Sequence, residues 1–177
     1  MLKVLDDMCK PTKGSKYSAA IDLYAREDVF IGAGETAIVG LGVCIDLDMF
    51  IYENFSQLPL EYILRKNVNG INNFLKSHYL QLEPRSSLRV KGIQAGTGII
   101  DLDYKDEIMI ILHNPAQVKQ IVQNCTNYTL LEDAEDCEYE IKKGDKIAQI
   151  MLCEHKTGLM GIDTEEERLG GFGSTGK

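Results

Sequence analysis

The sequence predicts an all-β protein, a barrel or sandwich, interrupted by one short helical insertion. Three observations carry this. Short runs rich in Val, Ile and Leu recur along the chain, each bounded by Gly, Asp or Pro. These runs alternate in polarity or are briefly continuous, and they have strand length rather than helix length. A single stretch, residues 57–78, changes to a helical period.

Taken in order, LKVL near the start is a short strand candidate, and GETAIVGLGVCIDLD (34–48) is a long one. Residues 57–78 place Leu60, Ile63 and Leu64 on one helical face. Asn69-Gly70 marks a turn, and Ile71, Phe74, Leu75 and His78 resume the spacing. Pro59 suits a first helical position. The helical insertion therefore falls within residues 49–79, followed by the strand candidate HYLQLE (78–83). DEIMIILHN (106–114) has a short, fully apolar centre, with Ile99 and Ile100 read as buried just before it. EYEIKKGDKIAQIML (138–152) reads as a hairpin around Lys143, Gly144 and Asp145. The acidic run EDAEDCE (132–138) is a solvated loop rather than a metal site. With no repeat and no clear linker, residues 1–177 make one domain.

Composition narrows the function. The 177 residues are 44% apolar and 26% charged, ordinary for a globular protein with a genuine core. A formal charge of -8 excludes a broad nucleic-acid interface, which needs a basic footprint. An anionic ligand must meet a locally positive site set against that field. The five cysteines form no CxxC pair and the three histidines stand singly, which argues against a zinc site. The expectation is reduced thiols in a cytoplasmic protein, or a nuclear one if the source is eukaryotic. MLKVLDDMCK has no signal-peptide run, and no stretch reaches the roughly 20 apolar residues of a membrane span.

Five segments carry chemistry. In AAIDLYA, Asp22 sits between apolar neighbours, where a carboxylate needs an Arg partner or a hydrated metal to face. PRSSL places the Arg85 guanidinium beside the Ser86 and Ser87 hydroxyls, a set able to hold phosphate oxygens. GTGIIDLDY lets the backbone approach a ligand at Gly96 and Gly98, with Asp101 at the edge of an apolar run as a candidate general base. Read singly, that segment is better taken as a turn, since Asp, Gly and Tyr are frequent at hairpin ends and most Asp-x-Asp pairs are surface features. GDKIAQ puts the Gln149 amide among apolar neighbours, either satisfied within the fold or aimed at a ligand. The terminal RLGGFGSTGK sets one ring, Phe172, among glycines and hydroxyls, either as a solvated tail or as a clamp for a flat anionic ligand.

In that order the five segments resemble the five motifs of the trimeric dUTPases, from about Ala19 to Lys177. The resemblance implies a jelly-roll-like β-barrel, a homotrimer with shared active sites, and cleavage of dUTP to dUMP and pyrophosphate. That activity limits uracil incorporation into DNA and supplies dUMP for thymidylate synthesis. Mg2+ would ride on the triphosphate, with Asp22 helping to hold it through water. Asp101 matches the aspartate that activates water at the α-phosphate. Tyr104 matches the ring that packs on deoxyribose, and the backbone of Gly96, Gly98 and Ile100 matches the hairpin that reads uracil. Arg85, Ser86, Ser87 and Gln149 match phosphate contacts. Residues 168–177 match the flexible C-terminal motif, with Phe172 over uracil and Arg168, Gly173, Ser174 and Thr175 along the phosphates.

The chain departs from the family pattern at a few places. Ser87 replaces a glycine and Asp106 stands where glycine is usual. Arg168 is one residue closer to Phe172 than usual, and residues 49–79 and 115–137 are longer than usual. Two other readings compete. A dCTP deaminase on the same fold would need a catalytic glutamate that has no match here. A non-catalytic trimeric module would be expected to lack Asp101 or Phe172, and both are present.

Overall fold

Side-chain alternation along the strands sets the architecture. The computed structural model describes residues 1–50, 73–96, 98–115, 120–121, 130–131 and 138–162. In β9 (Glu107–His113), Ile108, Ile110 and Leu112 are buried, while Ile111 between them is 42% exposed. That period of two is a strand with one face on the core. β9 pairs antiparallel with β5 (Thr36–Ile45) and with β7 (Gln94–Ala95), and β1 (Leu2–Val4) covers the far side of β5.

A second sheet runs in the order β2 (Thr12–Lys13), β3 (Ile21–Tyr24), β13 (Lys146–Glu154), β6 (His78–Pro84) and β8 (Gly98–Asp101). Leu23, Leu82 and Ile150 from this sheet join Val39, Ile108 and Ile110 from the first in one core cluster. Each such side chain contributes about 1.5–3 kcal/mol by leaving water. The chain is therefore mostly β, with a jelly-roll-like arrangement of sheets. Among the described residues no helix is long and apolar enough to cross a membrane.

The two runs expected as a hairpin are both strands but do not pair with each other. β12 (Tyr139–Ile141) pairs with β4 (Val29–Ile31), whereas β13 pairs with β3 and β6. The cause is a matched bend. Ala25 N donates to Asp145 O at 2.9 Å and Gly144 N donates to Ala25 O at 2.8 Å, so both chains turn at one level. Gly144 has φ 86°, a left-handed value that favours glycine. The β3–β13 ribbon thus continues as β4–β12 outside the five-stranded sheet.

Two other expectations shift, and one segment takes a shape the sequence left unassigned. The strand over 34–48 ends at Ile45, because the Asp46 side chain accepts from Met49 N at 2.8 Å and starts a helix at residues 47–50. In PRSSL, Ser86 opens the short helix α1 (Ser86–Val90), anchored by buried Leu88. Ile99 is 72% exposed and Ile100 half-buried, since β8 is an edge strand and Ile99 lies on its outward face.

Of the helical insertion, residues 73–75 are helical and 51–72 lie outside the described residues. Phe74 stacks on Phe50 at 5.2 Å and on His78 at 4.3 Å, which joins the two described ends of the segment. Within 115–137, β10 (Gln120–Ile121) pairs with β11 (Leu130–Leu131), and 116–119, 122–129 and 132–137 lie outside the described residues.

β5 contains a register shift against β9 between Gly40 and Cys44. Glu107 fills it, accepting from Gly42 N at 2.8 Å and from Arg26 Nη1 at 2.7 Å. Gly42 has φ 63°, and a Cβ there would lie 2.5 Å from Cys9 Cβ. Glycine is required twice over at this position. Burial, helped by the nearby Asp6 charge, pushes the Cys9 thiol above its ordinary pKa.

Candidate functional site

The register of the five-stranded sheet builds a polar row. Thr12 pairs with Asp22, Asp22 with Gln149, and Gln149 with Glu83, so four strands set these side chains in line on one face. The neighbouring row is apolar, with Ile21 opposite Ile150 and Ile150 opposite Leu82. Alternation alone therefore turns Asp22 and Gln149 away from the core.

Asp22 is nevertheless only 5% exposed, because cations cover it. Arg85 Nη1 donates to its Oδ1, and Lys146 Nζ donates to its Oδ2 at 3.2 Å. Of the two partners the sequence left open, it has taken an Arg. The local sequence explains the reach of Arg85. Pro84 ends β6, Arg85 stays extended (φ -69°, ψ 142°), and its N donates to Ile147 O at 3.0 Å. Only then does α1 begin, with Ser86 and Ser87 exposed on its first turn beside the guanidinium.

Lys146 was not singled out by sequence, although it stands in GDKIAQ. Its placement depends on a register shift between Lys146 and Ala148, which no periodicity announces. Its ammonium lies 5.7 Å above the Tyr24 ring, and the Asp22 carboxylate holds its pKa above the ordinary lysine value. Glu83 was also missed. It accepts from Gln81 Nε2 at 3.0 Å and lies 3.6 Å from Arg89 Nη2, so its charge is partnered.

Asp101 lies elsewhere. It pairs with Tyr79 across β8 and β6, four residues before Glu83. At about 3.3 Å per residue that is roughly 13 Å along the strand from the Gln149 level. Asp101 is exposed at the sheet edge, where Tyr104 N donates to Asp101 O at 3.1 Å. Tyr104 is 7% exposed, and its hydroxyl donates to Glu107 O at 3.1 Å, which fixes the ring. Gly96 N donates to Ile111 O at 3.3 Å at the crossing from β7 to β8, while Gly98 and Ile100 pair with Leu82 and Leu80. So one chain brings together Asp22, Arg85, Gln149 and the two serines. It sets Asp101 apart from them at the other end of β6, whereas Gly98 lies opposite Leu82, one residue from the Glu83 level. Thr97, Arg168, Phe172, Gly173, Ser174 and Thr175 lie outside the described residues.

A resident metal finds no cage here. Among the described residues no three His, Cys, Asp or Glu side chains stand together. Both Asp22 oxygens already face cations, so a further cation arrives against two positive charges. The donor set does not fit a protein-held metal. Its chemistry suits an anion: a guanidinium and an ammonium meet at Asp22, the Gln149 amide lies in the next strand position, and two exposed serines follow Arg85 in sequence.

A family model described as dUTPase matches residues 73–126. The Deoxyuridine 5'-triphosphate nucleotidohydrolase of Candida glabrata is 32% identical over 174 residues, covering 94% of this chain and 88% of that protein. The protein of the same name from Saccharomyces cerevisiae is 29% identical, covering 94% and 86%. Among solved structures, the Staphylococcus bacteriophage 80alpha dUTPase has a TM-score of 0.59 at 18% identity, covering 97% of this chain and 96% of that one. A dUTPase variant from phage phi11, described with a structural Mg(II) ion, has a TM-score of 0.58 at 20% identity, covering 98% of each chain. At such identities the structural likeness speaks for the fold alone, but the sequence relatives extend over nearly the whole chain. This chain belongs to the dUTPase family.

Proposed function

We propose that this chain hydrolyses dUTP to dUMP and pyrophosphate, with Mg2+ entering as part of the substrate complex. One observation carries the reading: relatives named for this reaction align over 94% of the chain, through the residues that form the Asp22–Arg85–Gln149 cluster. Arg85, the two serines and Gln149 hold the phosphates by charge-assisted and neutral hydrogen bonds. Asp101 orients the attacking water and takes its proton as the α-phosphorus–oxygen bond to pyrophosphate breaks. The fixed Tyr104 ring packs on deoxyribose and leaves no room for a 2′-hydroxyl. Gly96 to Ile100 offer backbone groups to the uracil edge, and tightness there rejects the methyl of thymine.

Residues 168–177 complete the site in this reading. Phe172 stacks on uracil, contributing about 1–3 kcal/mol. Arg168, Gly173, Ser174 and Thr175 close along the phosphates.

Asp101 stands roughly 13 Å from the phosphate cluster along the strand, whereas a general base must lie within about 3 Å of its proton. That separation supports a site shared between copies, with Asp101 and Tyr104 of one chain meeting Arg85 and Gln149 of another, in a homotrimer as the family resemblance implies. Residues 1–177 act as one domain, with 49–79 and 115–137 as insertions carrying no assigned chemistry. The test is a nucleotide panel read by pyrophosphate release, and no turnover of dUTP refutes the reading.

A further inference from the structure

Asp22 is the most buried charged side chain of the polar row, and each of its oxygens accepts from a different cation. Arg85 approaches from the end of β6 and Lys146 from the start of β13, so the carboxylate ties two strands that flank the site. We propose that Asp22 and Lys146 are positioning residues of the phosphate site, with Asp22 holding the Arg85 guanidinium and the Lys146 ammonium as one fixed pair of cations rather than carrying a metal ion. The inference rests on the nucleotide-binding reading above.

The physical argument is one of charge and entropy. Two long cationic side chains, 35% and 46% exposed, lose several rotatable bonds each when they are ordered for a phosphate. A buried carboxylate between them orders both before the ligand arrives, which reduces the entropy lost on binding. The pair leaves one net positive charge facing the site, the sign that a triphosphate requires on a chain of charge -8. Lys146 also lies over the Tyr24 ring, and Tyr24 shares a hydroxyl hydrogen bond with Thr12, so the ammonium is held from a second side. A metal held through Asp22 would have to displace one of these cations or sit beside both.

The experiment is titration calorimetry with an imido analogue of dUTP, run once with excess Mg2+ and once with EDTA, alongside inorganic tripolyphosphate. Asp22→Asn and Lys146→Gln are each expected to weaken analogue binding about ten-fold or more. The ratio of the two affinities, with and without Mg2+, stays at the wild-type value, because positioning acts in both conditions. Lys146→Arg restores most of the lost affinity. The proposal is overturned if Asp22→Asn abolishes the Mg2+ dependence, if Lys146→Gln changes neither affinity, or if Lys146→Arg fails to rescue. Should Asp22→Asn not fold, the exposed Lys146 carries the test alone. Wild-type protein that binds tripolyphosphate but not the analogue contradicts the dUTP reading and leaves the same variants to be scored with tripolyphosphate. Protein that binds neither overturns both.

Discussion

Asp101 and Tyr79 stand directly opposite each other on β8 and β6, at the far end of β6 from Arg85. Asp101 therefore faces an aromatic residue across the strand pair rather than the Arg85 and Lys146 cations. Within one chain the proposed general base stands apart from the proposed phosphate-binding cations, and the expected behaviour of variants follows from that division.

Asp101→Asn removes the base while keeping size and shape at an exposed position. Turnover is expected to fall about 100- to 10,000-fold, with the dissociation constant of an imido analogue unchanged. Steady-state kinetics beside calorimetry checks this, and a parallel loss of binding would assign Asp101 to the ligand site instead.

Arg85→Ala and Asp101→Asn are expected to be inactive alone and partly active when co-assembled. A mixed trimer pairs an intact Arg85 from one copy with an intact Asp101 from another. Mixing after mild denaturation and refolding, followed by activity assay, measures the recovery. Absence of any recovery would place both residues in a site made by a single chain.

Deleting residues 168–177 is expected to remove most of the activity and leave the sheets intact. Far-ultraviolet circular dichroism and thermal unfolding should match the full chain, while kcat/KM drops. A fully active truncation would show that Phe172 and its neighbours are incidental.

Gly42→Ala introduces a side chain at φ 63°, against Cys9. The left-handed conformation alone costs about 1–3 kcal/mol for a non-glycine residue, and the overlap with Cys9 adds to it. A urea titration should show a lower midpoint at unchanged slope.

Stability should also decline at alkaline pH through Cys9. Burial raises the thiol pKa in the folded state, so the folded protein keeps a proton that the unfolded chain loses. Stability is then full below the unfolded value of about 8.5 and falls as pH climbs from there towards the folded value. Urea midpoints at neutral and alkaline pH, for wild type and Cys9→Ala, measure the difference. An equal decline in both would remove Cys9 as the cause.

Much of this was legible in the sequence. Short apolar runs, alternating or briefly continuous and bounded by turn residues, located β5, β6, β9 and β13, because strands against a core show one pattern or the other. The order of Asp22, Arg85, Asp101 and Gln149 along the chain carried the family resemblance. Pairing was not legible, since it depends on bends at Ala25 and Gly144 that send β12 and β13 to different partners. Lys146 escaped notice for the same reason: a one-residue register shift decides which way it points. The apolar neighbours of Asp22 point to a partnered carboxylate, but that two cations meet it is a tertiary fact with no local signal.

The most direct measurement is pyrophosphate release by the purified full chain with Mg2+, offered dUTP, dTTP and UTP at equal concentration. The account predicts rapid release from dUTP and little from the other two, through the tight uracil-reading backbone and the Tyr104 ring. No release from dUTP, or equal release from all three, would contradict it.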